Sequence, residues 1–192
     1  MIQFVICSIL SFQIGQSNSK PPSSFIDIGN CPGEGCAYGK WKAQKAINLF
    51  ASKTVKSYNV ATLKSGEIVK ALTGDVHTEA GIFILEKPFE CYLQNKVAHS
   101  HHPGERIFVY TYEGEGFYKF WCHGRMASGF SPSIKSNFKP GQEHLANGHW
   151  YKEPKTIWWA KIQTTTGIIG WTPVTKPYAF DGTYEGDQNY IK

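Results

Sequence analysis

From Ala46 onward the sequence breaks into short apolar runs of four to seven residues, each bounded by Gly, Asn, Ser or Pro. Arg106-Ile107-Phe108-Val109-Tyr110-Thr111-Tyr112 is the clearest of them. Ile107, Val109 and Thr111 fall on one face of an extended chain, and Phe108, Tyr110 and Tyr112 on the other. Phe117 to Cys122 alternates in the same way, and Glu113-Gly114-Glu115-Gly116 between the two runs reads as a turn. No stretch of a dozen residues sustains a capped helical period. The expectation is an all-β chain of small barrels, with Met126 to Pro154 as a long irregular insertion rich in Gly, Ser, Pro, Asn and His. An aromatic content of 15% argues against a disordered chain.

Residues 1–19 are almost wholly apolar up to Ile14, then small and polar, with no charge before Lys20. The run is too short to span a bilayer as a helix and reads as a signal peptide, which implies an exported, periplasmic or extracellular protein. Beyond it stand Cys31, Cys36, Cys91 and Cys122, an even set suited to two disulfides in an oxidising compartment. Four cysteines allow three pairings. The turn-forming Pro32-Gly33-Glu34-Gly35 favours a local Cys31–Cys36 link, leaving Cys91 for Cys122. A four-thiolate zinc site is the rival, disfavoured by the distance in sequence between Cys91 and Cys122.

At several points the sequence resembles bacterial SH3-type (SH3b) domains. Ile47-Asn48-Leu49-Phe50 and Val60 to Val69, with its Lys64-Ser65-Gly66-Glu67 turn, resemble the opening of such a unit. Trp158-Trp159-Ala160-Lys161-Ile162, Gly167 and Gly170-Trp171-Thr172 resemble its close, and Gly104-Glu105 matches an opening turn. The resemblance covers 45–87 and 103–175 and implies SH3-like barrels, tandem or merged. Residues 20–44 are then a linker and cysteine-containing segment, 45–88 a first unit, 89–175 a second unit with its insertion at 126–154, and 176–192 a tail. One barrel sharing the first opening and the second close is the alternative. The Cys-Pro-x-Glu-x-Cys segment and Gly114 to Trp121 also look like exported bacterial SH3-like proteins of no known activity.

Trp158, Ala160 and Ile162 share the face expected to enter a core. Trp159, Trp171, Tyr110, Tyr112, Trp121 and Trp150 are the candidate ligand-binding aromatics, since a flat amphipathic ring suits peptide or glycan. The expected partners are a peptide, a protein, peptidoglycan or another cell-envelope surface. Net charge is +5, with Lys40, Lys42, Lys45, Lys53, Lys56, Lys64 and Lys70 set against Glu67 alone, yet no nucleic-acid motif accompanies it. No nucleophile elbow, zinc-protease or nucleotide-binding motif is present. The function expected is non-catalytic binding. The alternative is a cell-wall or metal-dependent hydrolase pairing one of the cysteines with His77, His99 or His123. His99-Ser100-His101-His102 reads as a polar loop before Pro103-Gly104, because no carboxylate or Cys lies at ligand spacing; no metal or cofactor is expected.

Overall fold

The computed structural model describes residues 20–93, 96–174 and 179–186; the apolar start at 1–19 and parts of the tail lie outside them. The described chain is all-β. Its strands are β1 (Ser24–Ile28), β2 (Gly39–Ala43), β3 (Ile47–Phe50), β4 (Asn59–Leu63), β5 (Ile68–Glu79), β6 (Gly81–Leu85), β7 (Phe89–Leu93) and β8 (Lys96–His101). β9 (Arg106–Gly114), β10 (Phe117–Cys122), β11 (Arg125–Phe130), β12 (Gly148–Lys152), β13 (Lys155–Gln163), β14 (Ile169–Val174) and β15 (Phe180–Asp181) follow.

The first sheet runs β15-β2-β5-β13-β14-β3-β4, with β1 added to the free end of β5. It cannot be flat. Four strand spacings separate β2 from β3, about 19 Å in a flat sheet. Only Gln44, Lys45 and Ala46 connect them, and so short a link reaches about 14 Å. The same conflict applies between β4 and β5. The sheet therefore curls into a half-barrel, and the turn at Lys64–Glu67 closes against β2 through Gly66 N–H to Ala43 O (2.7 Å) and Ala43 N–H to Glu67 O (2.9 Å). Gly66 takes φ +84° in this turn, which a side chain would resist.

Inside the curl lie Trp41, Leu49, Leu63, Val69, Val76, Trp158, Ala160, Ile162 and Phe180. Trp158, Ala160 and Ile162 enter this core together, as the alternation of β13 requires. Gly170 sits where a Cβ would come within 2.7 Å of Val60 Cγ2 and 2.8 Å of Leu49 Cβ. Gly170→Ala is expected to cost about 1–3 kcal/mol by overpacking, read as a lower urea midpoint at unchanged slope.

At Ala80–Gly81 the chain leaves the first sheet, and at Glu153–Pro154 it returns. Between these points β6 to β12 build a second sheet in the order β11-β10-β9-β6-β12, plus the β7–β8 hairpin. β5 pairs with β13 before the corner and β6 with β12 after it, so one bent ribbon carries both sheets. The expected units 45–88 and 89–175 are thus joined through β5–β13 pairing in a single sheet. The second core gathers Phe83, Phe89, Phe120 and Phe130, with ring centroids 5.1–5.6 Å apart.

Three segments differ from the sequence reading. The linker contains β1, which pairs with Asp75–Glu79 of β5. The tail contains β15, and its Ala179 and Phe180 are buried in the first core. The insertion at 126–154 holds strand at 126–130 and 148–152, with 131–147 between them irregular apart from two short 3-10 turns. In each case pairing with an existing strand edge outweighs the weak local propensity of the neighbouring Gly, Ser and Asp.

β1 also ties the sheets together. Lys119 pairs with Asp27, Tyr110 Oη donates to Pro22 O (2.7 Å), and Phe25 meets Tyr110 edge-on at 6.1 Å.

Candidate functional site

The strongest concentration of chemistry lies beside the β7–β8 hairpin. His99 and His101 alternate along β8 and project to one face, with ring centroids 4.5 Å apart. His123 sits in the turn between β10 and β11 at φ +43°, a left-handed conformation uncommon outside glycine. Its ring stacks on His99 at 5.7 Å with the planes 12° apart. Cys91 is the cross-strand partner of His99, and Cys122 immediately precedes His123. The Cys91–Cys122 disulfide, with Cα atoms 6.1 Å apart, thus holds the hairpin and the turn that carry the two imidazoles. The other disulfide joins Cys31 and Cys36.

His101 is enclosed. Phe89 stacks on it at 6.1 Å, and its Nδ1 lies 2.9 Å from Glu105 Oε2. Its Nε2 is buried and has no hydrogen-bond partner. The hydrogen bond with His101 holds the Glu105 carboxyl below its ordinary range. The His102–Glu105 turn, closed by Glu105 N–H to His102 O (3.1 Å) with Gly104 at φ +89°, sets Glu105 against His101. The turn, and not a shared strand or helix face, brings this carboxylate to His101, so a reading of the histidine run alone passes over it.

The histidines line a cavity of about 340 Å³ together with Lys20, Pro21, Arg106, Phe108, Trp121 and Gly124. Phe108 and Trp121 give it aromatic walls, and Lys20 and Arg106 give it cationic ones. Arg106 rests its guanidinium 5.6 Å from the centroid of Tyr151.

Of the candidate aromatics, Trp121 alone lines this cavity. Tyr110 is buried between the sheets, and that burial pushes its hydroxyl up to about 12. Trp159 is buried on the outer side of the first sheet, where its ring lies 6.5 Å from His77. Beside them Lys53 pairs with the buried Asp75. Burial raises the Asp75 carboxyl, but hydrogen bonds from Lys53 and the Gly29 N–H outweigh it and hold the group below its ordinary value. Trp171 is half-buried, with Lys53 Nζ 5.0 Å and Lys161 Nζ 5.7 Å from its ring centroid, so two cations already use that ring. Tyr112 packs on Tyr118 at 5.1 Å, and Trp150 on Phe83 at 5.2 Å.

All four described cysteines are disulfide-bonded, so none of them offers a thiolate to a histidine base. Two disulfides also fit an oxidising compartment. Lys20, Pro21, Glu105, Arg106 and Phe108 are the site residues that sequence reasoning missed. They come from two separate segments, and only the fold collects them. Compared with protein-family models, curated proteins and solved structures, this chain matches none.

Proposed function

We propose that this chain is an exported, non-catalytic binding protein that takes an anionic portion of a cell-wall polymer or acidic peptide into the cavity between β8, β9 and the β10–β11 turn. The observation that carries this reading is the lining itself: Trp121 and Phe108 beside Arg106 and Lys20, in a hollow of about 340 Å³. That size suits part of a small ligand, and rings with neighbouring cations recognise a sugar or peptide bearing carboxylate or phosphate. Export is supported by the apolar start and the two disulfides. An SH3-like half-barrel, formed by the first opening and the second close, is the scaffold in this reading. It is supported by β3, β4 and β5 lying in one sheet with β13 and β14.

The test is co-sedimentation with purified peptidoglycan sacculi. Wild type is expected to pellet with them, and Trp121→Ala to weaken binding ~5- to 150-fold, in line with loss of one stacking platform of ~1–3 kcal/mol, while keeping its melting temperature. Equal sedimentation of the two proteins rules out the cavity as the binding site. Release of soluble muropeptides would favour the hydrolase instead.

A further inference from the structure

We propose that His99, His101 and Glu105, joined by His123 from the facing turn, form a binding site for one divalent transition-metal ion of the zinc type. This rests on reading the same cavity as a binding site and names one occupant of it.

Three observations converge. First, one ligand atom from each of His99, His101 and Glu105 lies within 4.8 Å of the others. A tetrahedral zinc site with bonds of about 2.0–2.1 Å needs its ligand atoms about 3.3 Å apart, so modest side-chain rotation closes the set. Second, His101 is built like a metal ligand. Its Nδ1 already lies 2.9 Å from Glu105 Oε2, close to the spacing of two ligands on one ion, and its other nitrogen has no partner that would hold the ring back. Third, the fold holds the imidazoles together at some expense. His123 occupies a left-handed conformation, and a disulfide between the neighbours of His99 and His123 keeps their rings stacked 5.7 Å apart. A shared ion makes the convergence of three imidazoles favourable.

The donor set selects the class of ion. Imidazole nitrogens and one carboxylate suit zinc, and also copper(II) or nickel(II); a hard ion such as magnesium prefers all-oxygen ligands. Arg106, Lys20 and Trp121 line the same cavity, and those cations favour an anionic group as the remaining ligand.

The experiment is isothermal titration of the full chain, purified with chelator and then dialysed, with zinc chloride alone. One equivalent is expected to bind. His99→Ala should weaken binding ~100-fold and Glu105→Gln ~10-fold, and His102→Ala, exposed in the neighbouring loop, should bind as wild type does. A readout without variants is the melting temperature, which zinc should raise by mass action and magnesium should not. No heat and no thermal shift at tens of micromolar zinc would overturn the site. So would equal affinity of wild type and folded His99→Ala, or several weak equivalents unaffected by either variant. Sacculus binding without zinc binding removes the metal site and leaves the cavity reading standing. Zinc binding without sedimentation removes the cell-wall reading alone.

Discussion

Trp41→Ala is expected to lower stability by about 3–5 kcal/mol, the range for truncating a buried tryptophan. In a chain of this size that is a fall of about 6–20 °C in melting temperature. Trp41 is wholly buried, and its ring meets Trp158 at 5.3 Å, Phe180 at 5.1 Å and Tyr38 at 6.2 Å. These partners come from β13, β15 and the segment before β2, so one side chain couples the start, the end and the closing hairpin of the first sheet. Its Nε1 donates to Ala37 O at 2.9 Å, and no hydrocarbon replacement restores that bond. Trp41→Phe is therefore expected to recover part of the loss and not all of it. Guanidinium denaturation of the three proteins checks this; a change below ~1 kcal/mol in Trp41→Ala would mean the aromatic cluster does not organise the sheet.

Removing the second disulfide is the other large effect. The Cys91–Cys122 link closes a loop with a sequence separation of 31, for which the chain-entropy relation gives about 3–4 kcal/mol. The Cys31–Cys36 link, with a separation of 5, gives about 2 kcal/mol by the same relation. Cys91 and Cys122 are fully buried, whereas Cys31 and Cys36 are half-buried. Mild reductant is expected to open Cys31–Cys36 first with a small loss of stability. The second link should open only with unfolding or strong reductant. Mass spectrometry of alkylated samples, taken along a reductant series and paired with melting curves, gives the order. Opening of Cys91–Cys122 first would contradict it. A Cys91→Ala/Cys122→Ala double variant should also separate His99 from His123, so its zinc affinity should fall along with its stability.

The fold class was legible because alternation is a local signal. Val109, Phe120, Trp158 and Ile162 each announce an inward face from their own segment, and the turns at Gly66 and Gly104 announce themselves through residues that tolerate positive φ. The cysteine pairing was legible for a similar reason, since the Pro-Gly turn makes one link local and leaves the other by remainder. β1 and β15 were not legible. Their sequences are short and lie beside Pro, Ser and Gly, and they become strands because β5 and β2 offer them unpaired edges. The candidate site was legible only in fragments. The histidine run was visible, but its carboxylate lies across a turn and its third imidazole lies across a disulfide. Trp121 was among six plausible aromatics, and no local feature separates it from Tyr110 or Trp159, which the fold buries.

The bent ribbon has a consequence for how the molecule is made. Synthesis runs from the amino terminus, and Glu79 at the end of β5 pairs with Lys155 at the start of β13, across the whole of the second sheet. As the chain emerges, β5 must wait with one edge open while residues 81–152 are produced. Loop closure over that span comes late, and an exposed strand edge invites foreign pairing while it lasts. All four described cysteines precede Lys155 in the sequence. An oxidising compartment can therefore lock both disulfides, and settle the second sheet, before the hairpin that completes the first has arrived.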